Sequence, residues 1–292
     1  MAFLTAGQIS RLAIELMTRR LVLANTVERV PGDEFRGSNG DTVTIRVPVP
    51  RDANIQSTPG ADIDTAPIDE DEAEVSVVQV YDAAPVTDHD LTLSIQNYGR
   101  QVLRPMTDAV ARGSEDQLAG AMNDVPADAS YAETVDNDDT KDRLLEAWEE
   151  LTDADVPPDD RFYAASAQIA ARIMRHPEFT RVDASGSPQT LRRGVIGGLY
   201  GFTIVVSTGL GAGTGVAYHR SSFGFATFPT AEMDGQAAVQ SSVVTDQGIS
   251  LRTLRQWNPH KLQQEQVVTC FAGAGLVDAD RVFKHDTDTN GS

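Results

Sequence analysis

Apolar and polar positions change period several times along this chain, and each change marks a different kind of element. Ile9, Leu12, Leu16 and Leu23 recur at roughly helical spacing with Arg11, Arg19 and Arg20 away from them, which predicts an amphipathic helix over residues 6–24. Thr5 and Gln8 have capping-box spacing at its start, and Pro31-Gly32 closes the unit. A helix with its own apolar stripe must dock on something. After the turn signal Ser38-Asn39-Gly40-Asp41, Val43, Ile45, Val47 and Val49 alternate with polar residues, the mark of a half-buried strand. Pro48 places that strand at an edge or at its own end. A second strand spans about Glu74 to Tyr81, and its alternation slips between Val77 and Val78, as a bulge or burial on both faces would produce.

The connection between these strands, about residues 50–73, is longer than the roughly 12–15 residues usual for a structureless loop. Two strands alone are marginal in water, so the hairpin is expected to reach onto a partner or to lack order by itself. Helical periodicity returns from Asp90 to Met122, with Pro105 either kinking the helix or starting a second one. Leu144, Leu145, Trp148 and Leu151 mark a short helix that Pro157-Pro158 breaks. Strand Phe162–Ala165 follows, then a helix capped by Ser166 and stopped before Pro177. The remainder is rich in strands (202–206, 216–219, 223–228, 249–254, 267–271), and a polar tail after Phe283 is expected to fray.

Charge sharpens this picture. The 292 residues carry 24 Lys and Arg against 43 Asp and Glu, a formal charge of −19, which excludes binding nucleic acid by counterion release from phosphates. The acid is concentrated: eleven acids and no Lys or Arg lie between Asp52 and Gly99, and fourteen acids against Lys141 and Arg143 lie between Asp124 and Asp160. What remains is slightly basic, a division that suggests contacts between copies of the chain as well as plain solvated surface. The preponderance of Arg over Lys and of Asp over Glu fits a high-GC genome or a salty habitat. No apolar run approaches the roughly 20 residues of a membrane span, no secretory signal is recognisable, and one cysteine forms no internal disulfide. The expectation is a soluble protein made in the cytoplasm.

Candidate chemistry is sparse. The glycine-rich stretch Gly209–Gly215 follows a strand, but Thr214 occupies the sixth fingerprint position and a strand follows it, so a flexible turn is expected over a nucleotide loop. No phosphate-loop Gly-Lys-Ser/Thr, Gly-x-Ser-x-Gly or His-Glu-x-x-His motif is present, and the five histidines lack metal-ligand spacing. Cys270, inside Val267–Phe271, reads as a small core hydrophobe. The acid run from Asp62 to Glu74 fits three readings: a solvated loop, a divalent-cation site lacking the calcium-loop glycine, or a contact to a neighbour's arginines. No enzyme, cofactor or metal is expected.

The order of the pieces resembles the major capsid proteins of tailed bacteriophages (the Johnson fold), and among them the podovirus coat-protein branch. Leu91–Pro105 is similar to that branch's entry to the long spine helix, proline included. Gly197–Ser207 and Val216–Ala226 resemble strands of the axial domain. Gly248–Arg252, Gln266–Gly273 and Asp280–Phe283 resemble the closing strands of the peripheral domain. The resemblance implies an α+β chain with an N-terminal arm (1–32), an extended β-hairpin loop (33–90), a spine helix (91–125), an axial domain (126–228) and peripheral C-terminal strands with a tail (229–292).

By the same resemblance the chain is a virion structural protein of a double-stranded DNA virus, assembling with itself as pentamers and hexamers into an icosahedral shell. Its arm would dock on its own copy or an adjacent one. The chain begins directly with the arm helix, so a separate scaffolding protein is implied, together with a portal and in some relatives decoration proteins; the inserted domain of podovirus relatives is not expected. No Lys lies between residues 1 and 140, so the hairpin Lys–Asn crosslink of some relatives is unavailable. The acidic wall would enclose DNA without gripping it. The expected subunit interface pairs Asp62, Asp64, Asp69, Glu70, Asp71 and Glu72 of the hairpin with Arg100, Arg104 and Arg112 on the spine helix. Alternatives are an encapsulin-like nanocompartment shell, a tail or head-completion protein, and a small-molecule-binding protein or hydrolase using Gly209–Gly215.

Overall fold

The computed structural model describes residues 6–30, 42–48, 70–90, 98–127, 140–175, 197–231, 239–246 and 249–286, with single positions 53, 55, 62, 65 and 67. Helix α1 (Ala6–Arg20) buries Ile9, Ala13, Ile14 and Met17, and the chain continues through one tight helical turn (Leu23–Asn25) into the short strand β1 (Glu28–Val30). The arm docks on its own body: α1 lies on helix α2 (Arg104–Asp124) and on strands β9 (Val239–Asp246) and β10 (Ile249–Asn258). Thr5 and the Ser38–Asp41 turn fall outside the described residues.

Strand β2 (Thr42–Pro48) pairs antiparallel with β3 (Glu70–Thr87), from Thr42 opposite Ser76 to Pro48 opposite Glu70. β3 is 18 residues long and has two partners in turn. Residues 70–76 pair with β2, whereas 77–87 pair with the long strand β11 (Gln263–Leu276) in an unbroken register, Val77 opposite Gly273 and Thr87 opposite Gln263. That corrects two expectations. The acids from Glu70 to Glu74 belong to a strand, not to the loop. The slip at Val77–Val78 is neither a bulge nor burial on both faces, since Val77 is buried and Val78 is exposed; it marks the change of partner.

The larger sheet runs β1-β8-β11-β10-β9, with β3 on the other edge of β11; β8 is Phe223–Phe228 and joins β1 in parallel. The smaller sheet runs β12-β7-β4-β6-β5, where β4 is Arg161–Ala165, β5 Gly198–Leu199, β6 Phe202–Val206, β7 Thr214–His219 and β12 Val282–Asp286. β4 and β6 are parallel, so a crossover must join them, and helix α4 (Ala167–Arg175) lies on that path beside α3 (Thr140–Asp153). A boundary after residue 228 therefore cuts across the sheets: β8 belongs to the larger one and β12 closes the smaller one. β12 also replaces the fraying expected immediately after Phe283.

Alternation explains the two cores. Ala164, Val216 and Tyr218 face a core shared with α1, α2 and the large sheet, while Tyr163, Ala165, Ala217, Phe202 and Ile204 face a second core beneath α3 and α4. With both faces covered, β7 is buried at five consecutive positions. The spine helix is continuous through Gly113 and Gly120; one wider turn, Gly99–Leu103, leads into it, and Pro105 stands in its first turn directly after that widening.

Candidate functional site

The candidate site is a surface, built from the projecting half of the β2–β3 hairpin and the outer face of the spine helix. Beyond Ser76 the hairpin leaves the large sheet, and the departure point is a close crossing. A Cβ at Gly273 would lie 2.2 Å from the Ser76 carbonyl oxygen, and one at Gly275 2.9 Å from that of Glu74. Only glycine lets β11 pass beneath β3 there. Gly273-Ala274-Gly275 inside a strand pattern is the signal that sequence reading left unused.

The expected interface residues divide between two places. Asp62 and Glu72 are exposed, and Glu72 stands opposite Arg46 in the β2–β3 register. Glu70 and Asp71 lie opposite Pro48 and Val47; Asp64 and Asp69 fall outside the described residues. Arg100, in the wider turn, and Arg104 and Arg112, on α2, are all exposed. Arg112 Nε donates to the Asp108 carbonyl at 3.3 Å. α2 packs on the sheet-bound half of β3, where a Cβ at Gly113 would meet Val80 Cγ1 at 2.8 Å. The arginines thus follow the rooted half of the strand, and the strand acids lie on its projecting half.

Three polar anchors, the half-buried Glu115 and the buried Lys284 and Arg161, none of them foreseen, fix these parts to one another. The Glu115 carboxylate on α2 accepts from the backbone N–H groups of Val22 and Ala24, tying down the turn after α1; burial raises its pKa, against those hydrogen bonds. Lys284 on β12 donates to the carbonyls of Asn123 (2.6 Å) and Val125 (3.0 Å), a cation at the negative end of the spine helix. Arg161 Nε donates to the Pro157 carbonyl and its NH1 to Thr152 Oγ1, which joins the end of α3 to β4. A charged residue set directly after an apolar pair, as in Val282-Phe283-Lys284, was the available hint.

The remaining candidates are structural. The Gly209–Gly215 turn is held, not flexible: Leu210 is buried, and Asn123 bonds both the Gly209 carbonyl (3.2 Å) and the Gly211 N–H (3.0 Å). The turn is packed against the body, since a Cβ at Gly209 would lie 2.8 Å from Ala119 Cβ and one at Gly215 would meet the Tyr163 hydroxyl, so its glycines serve close packing. His219 Nδ1 accepts from the Ser221 N–H as a cap, and His285 packs on Tyr163. Cys270 is fully buried 3.6 Å from Ser114, its thiol pushed up to about 11 by burial. Among the described residues no group of three or more His, Cys, Asp or Glu is placed to hold a metal, and no helix is long and apolar enough to cross a membrane.

Residues 97–283 match the family model described as phage capsid protein. The chain belongs to the phage capsid protein family. The capsid protein has the phage major-capsid fold: a solved structure from Mycobacterium phage Che8 superposes with a TM-score of 0.64 at 22% identity, covering 93% of this chain and 92% of that one. The mature capsid of bacteriophage PhiM1 gives 0.59 at 15% identity over 93% and 88%. A virus-like particle from Pyrococcus furiosus gives 0.54 at 9% over 95% and 98%. At such identities the likeness speaks for the fold. Among curated proteins, none matches the sequence significantly. Because the matching family is that of phage capsids, the nanocompartment alternative has the weaker support.

Proposed function

We propose that this capsid protein forms the shell of a tailed double-stranded DNA virus, assembling with itself as pentamers and hexamers, and that it does no catalysis. The observation that carries this reading is the hairpin: residues 42–48 and 70–76 pair with each other beyond the point where β3 parts from β11. A two-stranded ribbon of that kind gains its stability from a neighbour's surface. The arm, docked on its own copy, leaves the hairpin as the overlapping element. In this reading the large sheet with α2 is the peripheral domain and the small sheet with α3 and α4 the axial domain. Synthesis in the host cytoplasm, a separate scaffolding protein, a portal and decoration proteins complete the proposal by analogy with relatives. A net charge of −19 per copy makes the shell a low-adhesion container for DNA.

Electron microscopy of the expressed protein, alone and with its genomic neighbours, tests the reading. Closed shells that hold DNA when the packaging partners are present are expected. A protein that stays monomeric under every one of these conditions overturns it.

A further inference from the structure

The small sheet presents a pair of surfaces that the hairpin reading does not use. α3 turns Leu144, Ala147 and Leu151 into its core, but the next stripe around the helix remains open. Leu145 is 37% exposed and Trp148 45%, and residues three apart share a helix face. Trp is the residue type that most often dominates interface energetics. Exposed acids, Asp142, Glu149 and Asp153, border this stripe on one side, and Lys141 stands in line with it one turn before Leu145, leaving the surroundings acidic on balance.

α4 lies against α3 over the same core and has the opposite character. It buries Ile169, Ala170 and Ile173, and its outer face carries Arg172 and Arg175 among the small residues Ala167 and Ala171, with no acid. An aromatic anchor in an acidic setting and a basic face with room for a ring are complementary but not identical. Two such patches on one molecule match head to tail, and a heterologous contact of that kind closes rings.

We propose that the Leu145–Trp148 stripe of α3 in one copy docks on the Ala171–Arg172–Arg175 face of α4 in the next, joining small-sheet units around a ring. The proposal rests on the self-assembling reading above. The indole and Leu145 supply the area removed from water, Ala171 leaves space for them, and the flanking charges select partner and orientation. The contact is independent of the hairpin, whose acids and arginines lie elsewhere in the fold.

Charge reversal with rescue tests it, scored by particle yield in sedimentation and microscopy, with far-UV circular dichroism reporting subunit folding. Arg172→Glu with Arg175→Glu, and separately Glu149→Lys with Asp153→Lys, should each lower particle yield by about tenfold or more while folding is retained, since 1.4 kcal/mol per contact already gives that factor. The four changes combined should restore it. In a Trp257→Phe background, the fluorescence of Trp148 should shift to the blue on assembly. Reversal variants that assemble normally, a fourfold variant no better than either pair, or unchanged Trp148 emission in assembled particles would each overturn this interface. A wild type that never assembles overturns the shell reading itself, a separate outcome.

Discussion

His285 shows what a single buried group does to the whole subunit. Its Nε2 lies 2.9 Å from the Tyr163 hydroxyl and its ring stacks on that tyrosine at 5.7 Å. Burial, and then the positive charge of Arg143, hold its pKa down at about 4, with Asp286 opposing. The unfolded chain takes up this proton near 6.5, before the folded one does, so stability is complete above that pH and is lost as pH falls from about 6.5 towards 4. Urea unfolding between pH 7 and 5 should show His285→Gln losing less stability than wild type, by up to about 1.4 kcal/mol per pH unit. Equal slopes would place the group in water. At the same scale, a Cβ at Gly273 meets backbone, whereas one at Gly120 meets nothing within 4 Å. Gly273→Ala should therefore cost about 1–3 kcal/mol by overpacking. Gly120→Ala should add about 0.5–1 kcal/mol by stiffening the unfolded helix segment. Paired denaturation curves decide both.

Among the elements, the spine helix gathers most of the fold. It receives α1, supports β3 and ends against Lys284, whose ammonium group meets two of the carbonyls that a helix terminus leaves open. Lys284→Met should cost about 1–3 kcal/mol in urea unfolding, because those buried acceptors would lose their donor. A change of less than a few tenths would assign the pairing to water. The helices and most long strands were legible in the sequence, since α1, α2 and α4 bury one stripe each and β2 alternates. What escaped was short or decided at a distance. β1 has three residues and forms only because β8 lies beside it; β9 is polar enough to read as loop until β10 pairs with it, and β12, expected to end at Phe283 among the peripheral strands, runs on to Asp286 and closes the small sheet instead. The true length of β3 was hidden because its acids look like a solvated connection, and only β2 turns them into a strand. Of the expected interface residues, Arg100, Arg104, Arg112, Asp62 and Glu72 are exposed. Which surfaces meet depends on other copies of the chain and cannot be encoded in any local pattern.

At the scale of the molecule, assembly separates from folding. Glu72 and Glu74 are exposed on the half of β3 that lies beyond the departure point at Ser76. Asp69→Lys, Glu70→Lys and Asp71→Lys together should leave the melting temperature of the isolated subunit within about 2 °C while hindering shell assembly, because exposed pairs contribute only about 0–1 kcal/mol each. Normal particles from that variant would remove the hairpin–arginine pairing. An equally large loss of subunit stability would show the acids to be part of the fold.

The sheet order also sets a timetable. β12 is the outermost strand of the small sheet and carries the lysine that meets the end of the spine helix, yet it spans residues 282–286. Until that stretch has left the ribosome, β7 keeps a bare edge and the spine helix an unmet terminus. A nascent capsid protein is therefore held short of its finished shape until residues 282–286 have emerged, since both the sheet edge and the helix terminus wait for them.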